Sequence, residues 1–156
     1  QQSYRALELL NKDGLTKSIG VSNFTIDHLE ALLQSTNVPP VINQVEFNPF
    51  LYQKELLDYC REKDIVLEAY SPITHAKKLD YPPLKEIADK YSKSAAQILL
   101  RWAVQQNIVV IPKSSNKERI AENFPIFDFV LTSDELETMN SWNEGLRNTP
   151  DPAKMP

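Results

Sequence analysis

Glycine is scarce: only Gly14, Gly20 and Gly145 occur in 156 residues. That excludes a G-x-G-x-x-G turn and a Walker A loop, so any nucleotide phosphate has to be held by other means. A single cysteine, Cys60, allows no disulfide within the chain and suits a reducing compartment, expected to be the cytoplasm. No apolar run approaches the roughly 18 residues that cross a bilayer, and the polar opening Gln1-Gln2-Ser3-Tyr4-Arg5 has no signal-peptide pattern. The chain therefore reads as soluble, with no membrane partner. Cations are outnumbered, 17 Lys and Arg against 21 Asp and Glu, and the net charge of -4 argues against a general nucleic-acid binder. What is present is ordinary globular composition, 42% hydrophobic, 24% charged and 9% aromatic, at a length that suits one domain.

Apolar period and boundary residues alternate short strands with helices. Residues 3–11 have the pattern of a helix end, with Leu7 and Leu10 on one face and Gly14 as the stop. A strand over 17–22 follows, then a helix capped by Thr25 with the stripe Ile26, Leu29, Leu32 and Leu33. The next strand, 41–47, puts Val41, Val45 and Phe47 on one side and Gln44 on the other. A helix over 53–63 has the core face Leu56, Leu57 and Cys60, and a third strand runs over 65–70. After a loop at 73–83 come two helical patterns, one with Leu84, Ile87, Ala88 and Tyr91, the other opened by the capping box Ser94-x-x-Gln97 with Ile98, Leu99 and Trp102 buried. Ile108-Val109-Val110-Ile111-Pro112 reads as a strand covered on both faces. Ser115-x-x-Glu118 and Thr132-x-x-Glu135 mark the starts of the last two helices.

The strands begin near residues 17, 41, 65 and 108, spacings that suit crossovers in a parallel sheet. Four strand-helix units are half of the eight that close an α/β barrel, which typically takes about 250 residues. The expected fold is therefore α/β, half of a TIM-type (β/α)8 barrel: four parallel strand-helix units plus a C-terminal helix. Residues 1–147 form the half barrel and 148–156, with Pro150, Pro152 and Pro156, a loose tail.

In parallel α/β folds ligands bind beyond the carboxyl ends of strands. The residues there are Ser22-Asn23, Gln44 and Glu46, Tyr70-Ser71, and Lys113-Ser114-Ser115-Asn116. Amide and hydroxyl groups at Ser22, Asn23 and Gln44 suit a carboxamide, which needs donors and acceptors together. Tyr70 offers a flat apolar face to an aromatic ring. Lys113, three hydroxyl or amide side chains, a helix start and Arg119 make an anion site. Each has a plainer alternative: Ser22, Asn23, Ser115 and Asn116 as turn and cap residues, Tyr70 as core, Lys113 and Arg119 as a solvated basic face. Gln44 resists that alternative, because an inward-facing amide on a strand needs a partner. His28 is expected on a solvent-facing helix surface, His75 in a mobile loop and Cys60 as a buried structural thiol, and no pair has metal-site spacing.

These residues carry a resemblance to the aldo-keto reductase family. Gly14-Leu15-Thr16-Lys17-Ser18-Ile19-Gly20-Val21-Ser22-Asn23-Phe24 is similar to the family's central signature. Ile111-Pro112-Lys113-Ser114-Ser115-Asn116-Lys117-Glu118-Arg119-Ile120-Ala121-Glu122-Asn123-Phe124 is similar to its C-terminal one. Asn43-Gln44-Val45-Glu46 and Ala69-Tyr70-Ser71-Pro72 fall between them in the family's order. The resemblance implies that Ser22, Asn23 and Gln44 hold a nicotinamide carboxamide and that Tyr70 stacks on the ring. Ser71 and its successors would line the pyrophosphate, Lys113, Ser114, Asn116 and Arg119 would receive the adenosine 2'-phosphate, and Glu122 and Asn123 would approach the adenine. NADPH is the implied cofactor, and the short 73–83 loop resembles that of compact microbial members.

In the family the catalytic Asp, Tyr, Lys and His lie in the first half of the barrel, and none of this chain's tyrosines matches the catalytic one. No catalytic residue is therefore assigned. The expected molecule is a truncated NADPH-dependent carbonyl reductase, inactive alone, which self-associates or joins an N-terminal partner fragment. The alternative is a non-catalytic nucleotide-binding or assembly module built on the half barrel.

Overall fold

The computed structural model describes residues 2–154. Its strands are β1 (Val21–Ser22), β2 (Ile42–Glu46), β3 (Val66–Tyr70) and β4 (Val109–Val110). They form one parallel sheet in the order β1-β2-β3-β4, with Val21 opposite Asn43 and Ser22 opposite Gln44. The helices are α1 (Gln2–Lys12), α2 (Ile26–Leu33), α3 (Lys54–Glu62), α4 (Pro82–Tyr91), α5 (Ala95–Gln105), α6 (Lys117–Glu122) and α7 (Ser133–Asn140). No described helix is long and apolar enough to cross a membrane. The chain divides into two compact units, the first made of the described parts of 1–45, 53–68 and 150–156, the second of 46–52 and 69–149.

Local chemistry explains the helix ends. Thr25, Ser94 and Thr132 each accept from the backbone N–H three residues on, and the side chains of His28, Gln97 and Glu135 return a bond to the cap residue. Gly14 ends the turn after α1 at φ +73°, a conformation open to glycine at little cost. The α3 face Leu56, Leu57 and Cys60 is buried, as its spacing predicts. In the first unit Tyr4, Ile19 and Leu32 form a core cluster, with Leu7, Val21, Phe24 and Val38 packed on it.

Two groups of aromatic rings pack together in the second unit. Phe47 stacks on Trp102 at 5.7 Å, Tyr52 meets Trp102 edge-on, and the Trp102 indole N–H donates to Asn140 Oδ1 at 2.9 Å. Phe50 stacks on Trp142, and the edge of Tyr81 meets both.

Three expectations are corrected. β4 is not covered on both faces: Ile108 is buried, but Val109 and Ile111 are 43% and 40% exposed, so the strand period of two separates a covered side from an open one. Val41 precedes β2 and is 46% exposed instead of joining Val45 and Phe47 inside. The cap of α6 is Asn116, whose Oδ1 accepts from Arg119 N–H at 2.9 Å, in place of Ser115. Asn148 and Thr149, the first residues assigned to the tail, both bond to Glu46.

Candidate functional site

In the first unit the turn after β1 is held from three directions. Gly20 lets β1 approach β2, since a Cβ there would lie 2.3 Å from Ile42 Cγ2 and 2.9 Å from the Ile42 carbonyl oxygen. Asn23 adopts φ 59°, which Asn tolerates better than most residues, and its N–H donates to the Gln44 carbonyl at 2.8 Å. Asn43, fully buried, grips Phe24 at both ends: its Oδ1 accepts from Phe24 N–H at 3.3 Å and its Nδ2 donates to the Phe24 carbonyl at 2.9 Å. The Ser22 hydroxyl donates to the Gln44 carbonyl at 3.0 Å. Ser22, Asn23 and Gln44 are thus brought together where the end of β1 pairs with the middle of β2.

The partner that an inward amide requires is Glu68, whose carboxylate accepts from Gln44 Nε2 at 2.6 Å. That bond fixes the amide's orientation and leaves Gln44 Oε1 as an acceptor and Ser22 Oγ with lone pairs. Next to the turn lies a largely apolar cavity of about 690 Å³, whose wall includes Tyr4, Ser22, Asn23, Phe24 and His28. Burial, with help from the Glu8 charge, pushes the Tyr4 phenol up to about 12, and its O–H donates to the Val38 carbonyl at 3.0 Å. His28 is exposed, as expected, but its Nδ1 also accepts from Thr25 N–H. Cys60 is fully buried, and burial raises its thiol pKa despite a bond with Asn43.

In the second unit Tyr70 ends β3, half-buried, with its phenol 2.9 Å from Thr149 Oγ1. Ser71 follows at φ 51°, and its hydroxyl lies 2.8 Å from His75 Nε2. His75 is therefore anchored through its ring, within a short 3-10 turn at Thr74–Ala76. Glu46 is 1% exposed, and its carboxylate accepts from the backbone and side chains of Asn148 and Thr149. Burial pushes that carboxyl up, yet the bonds from Thr149 and Asn148 outweigh it and hold it below the usual range.

The 113–123 segment of the same unit is open. Lys113, Asn116, Arg119 and Glu122 are exposed, while Ser114 and Asn123 are half-buried. Ser114 Oγ accepts from Asn116 N–H at 3.1 Å, and the carbonyl of Glu122 accepts from Gln97 Nε2 at 2.9 Å. Among the described residues neither Lys113 nor Arg119 has a carboxylate partner, so both cations face solvent. Asn123 borders an apolar cavity of about 280 Å³ with Leu100, Val104, Ile120 and Phe124. The described residues hold no group of three His, Cys, Asp or Glu suited to a metal ion.

Two participants had no assigned role in the sequence. Glu68 is the answer to the Gln44 question, and its signal was its place on the strand next to Gln44's own. Glu46 stood among the strand-end polar residues, but its partners lie 102 and 103 positions away and leave no local pattern.

Known proteins share much of this sequence and its fold. The sequence model of the Aldo/keto reductase family matches residues 1–144. The Bacillus subtilis oxidoreductase YtbE is 51% identical over 97% of this chain and 54% of its own length. The glyoxal reductase of the same organism is 46% identical over 99% of this chain and 56% of its own. Among solved structures, the aldo-keto reductase MGS-M4 from a Medee basin deep-sea metagenome library superposes with a TM-score of 0.94 at 40% identity, covering 98% of this chain and 58% of that one. The silkworm aldo-keto reductase AKR2E5, solved in complex with NADPH, superposes with a TM-score of 0.88 at 40% identity, covering 94% and 48%. The chain spans about half the length of the relatives it matches. With its parallel sheet, its strand-end polar groups and these likenesses taken together, the chain belongs to the aldo/keto reductase family.

Proposed function

We propose that this chain supplies cofactor-binding residues of an NADPH-dependent carbonyl reductase. The observation that carries the reading is the Ser22, Asn23 and Gln44 group, rigidly held where the end of β1 pairs with β2, with an amide oxygen and hydroxyl lone pairs still open. That donor and acceptor set fits a nicotinamide carboxamide. In the second unit the half-buried Tyr70 suits the face of the nicotinamide ring, and Ser71 the pyrophosphate. Lys113, Ser114, Asn116 and Arg119 suit the 2'-phosphate, with Arg119 making a two-pronged charged contact, and Glu122 and Asn123 would approach the adenine. Bound NADPH supplies a hydride to an aldehyde or ketone carbon. The chain's own residues bind and orient it.

The four strand-helix units, residues 1–147, represent half of a (β/α)8 barrel, with 148–156 as its tail. No residue of this sequence matches the family's catalytic tyrosine, so the 156-residue chain has little or no reductase activity by itself. Completion by a second copy or by an N-terminal fragment would restore a closed sheet, and the cytoplasm is its expected compartment.

Fluorescence titration tests the reading. Saturable NADPH binding is expected, weakened about 10- to 100-fold by Arg119→Ala, because hydrogen bonds to a charged group are worth roughly 1.5–3 kcal/mol each. Equal affinity in wild type and variant would remove Arg119 from the site. Absence of binding in the wild-type chain favours a structural or assembly role instead. Carbonyl-dependent NADPH oxidation at ordinary reductase rates would contradict the expected inactivity.

A further inference from the structure

We propose that Glu46 is a positioning residue for the Tyr70 ring and acts through the hydroxyl of Thr149. The inference rests on the reading of Tyr70 as the residue that stacks on the nicotinamide. It follows from proton counting. Thr149 Oγ1 lies 2.7 Å from Glu46 Oε2 and 2.9 Å from the Tyr70 phenol oxygen. An ionised carboxylate only accepts, so the single Thr149 proton goes to Glu46. The Thr149 lone pair then accepts the Tyr70 proton, and the relay has one direction: Tyr70 to Thr149 to Glu46.

The far end of the relay is fixed. Glu46 is buried on β2 and accepts from four donor groups of residues 148 and 149: Asn148 N–H at 2.9 and 3.1 Å, Asn148 Nδ2 at 2.7 Å, Thr149 N–H at 3.1 Å and the Thr149 hydroxyl. Such charge-assisted bonds leave the backbone at 149 little freedom. The Tyr70 ring, half-buried at the end of β3, is thereby held at both ends, by its backbone in the strand and by its phenol on Thr149. A ring so held presents one face at one tilt and does not have to be ordered when a planar partner arrives.

Thr149→Val removes the hydroxyl at constant shape and spares the other donors to Glu46. Tyr70→Phe removes the phenol proton and keeps the ring, and Thr149→Ser restores the relay. NADPH affinity is read from nicotinamide fluorescence, and affinity for 2'-phospho-ADP-ribose, which has no nicotinamide, from calorimetry. Tyr70 ring-proton positions by NMR give a readout free of any ligand. The expected result is that Thr149→Val and Tyr70→Phe weaken NADPH binding about 5- to 10-fold, the size of one hydrogen bond, and leave 2'-phospho-ADP-ribose within about twofold. Thr149→Val also displaces the Tyr70 ring signals, and Thr149→Ser returns both readouts to wild type. Unchanged NADPH affinity or unmoved ring signals in Thr149→Val overturn the relay and leave the cofactor reading intact. Equal losses for both ligands overturn it in favour of a purely structural bond. A wild-type chain that binds 2'-phospho-ADP-ribose but gains nothing from the nicotinamide, or binds neither, overturns the Tyr70 reading and this proposal with it.

Discussion

Replacing Gly20 by alanine tests whether the turn after β1 is set by contact with β2. The new Cβ would sit 2.3 Å from Ile42 Cγ2 and 2.9 Å from the Ile42 carbonyl oxygen, against the 3.4 Å at which ordinary contact begins. The methyl group has to yield by about 1.1 Å and the carbonyl by about 0.5 Å, and overpacking of this size typically costs about 1–3 kcal/mol. A side-chain rotation of Ile42 can relieve the first clash. The second involves backbone, and it lies beside the bonds Val41 N–H to Ile19 and Asn23 N–H to Gln44 that join the two strands. With a urea slope of about 1–3 kcal/mol/M, the unfolding midpoint of Gly20→Ala should fall by roughly 0.5–2 M at an unchanged slope. Adding Ile42→Ala should recover only part of that loss relative to Ile42→Ala alone, since the carbonyl contact remains. Ser22 and Asn23 shift with the strand, so NADPH affinity should fall as well. An unaltered midpoint in Gly20→Ala would refute the steric account, and full recovery in the double variant would refute the backbone part of it.

Glu135 binds Lys90 and Tyr91, each at 2.6 Å, and Thr132 N–H at 2.8 Å. Burial pushes its carboxyl up, but these bonds win and bring it from 4.5 down to about 2. A depressed native pKa stabilises above the unfolded value and loses that contribution as pH falls through the native one, so Glu135→Gln should cost about 1–3 kcal/mol at pH 7. The gap to wild type should close between pH 4.5 and about 2 in urea titrations, and a gap independent of pH would sink the assignment. Asn116→Ala should lower α6 stability by about 0.5–2 kcal/mol, while Ser115→Ala should leave the thermal midpoint unchanged. A larger effect at Ser115 would return the cap to the residue its motif indicated.

Where a feature is local, the sequence showed it. The boxes opened by Ser94 and Thr132, the stop at Gly14 and the buried face Leu56, Leu57 and Cys60 need only three or four neighbouring residues, and all occur as the spacing implies. Adjacent cap candidates are harder to separate, because Ser115 and Asn116 have similar chemistry and backbone geometry chooses between them. The all-apolar run at 108–112 misled for another reason: hydrophobicity marks what can be buried, and only the path of the chain decides whether Val109 and Ile111 are. In the candidate site, the polar strand ends were legible one by one. Their second partners, Asn43 on Phe24, Glu68 on Gln44 and residues 148–149 on Glu46, are 19, 24 and 102–103 positions distant and carry no spacing rule.

That last separation bears on how the chain folds. A contact that spans 102 residues requires a long loop to close, at an entropic cost set by its length, before any of its hydrogen bonds can contribute. Helices α2, α5 and α7 have local caps and can form within their own segments, whereas the donors of Asn148 and Thr149 reach the Glu46 carboxylate only once β2 has delivered it. Protection of the amides at 148 and 149 from hydrogen exchange would accordingly mark the completion of folding, and the Tyr70 phenol would meet Thr149 Oγ1 in that final step.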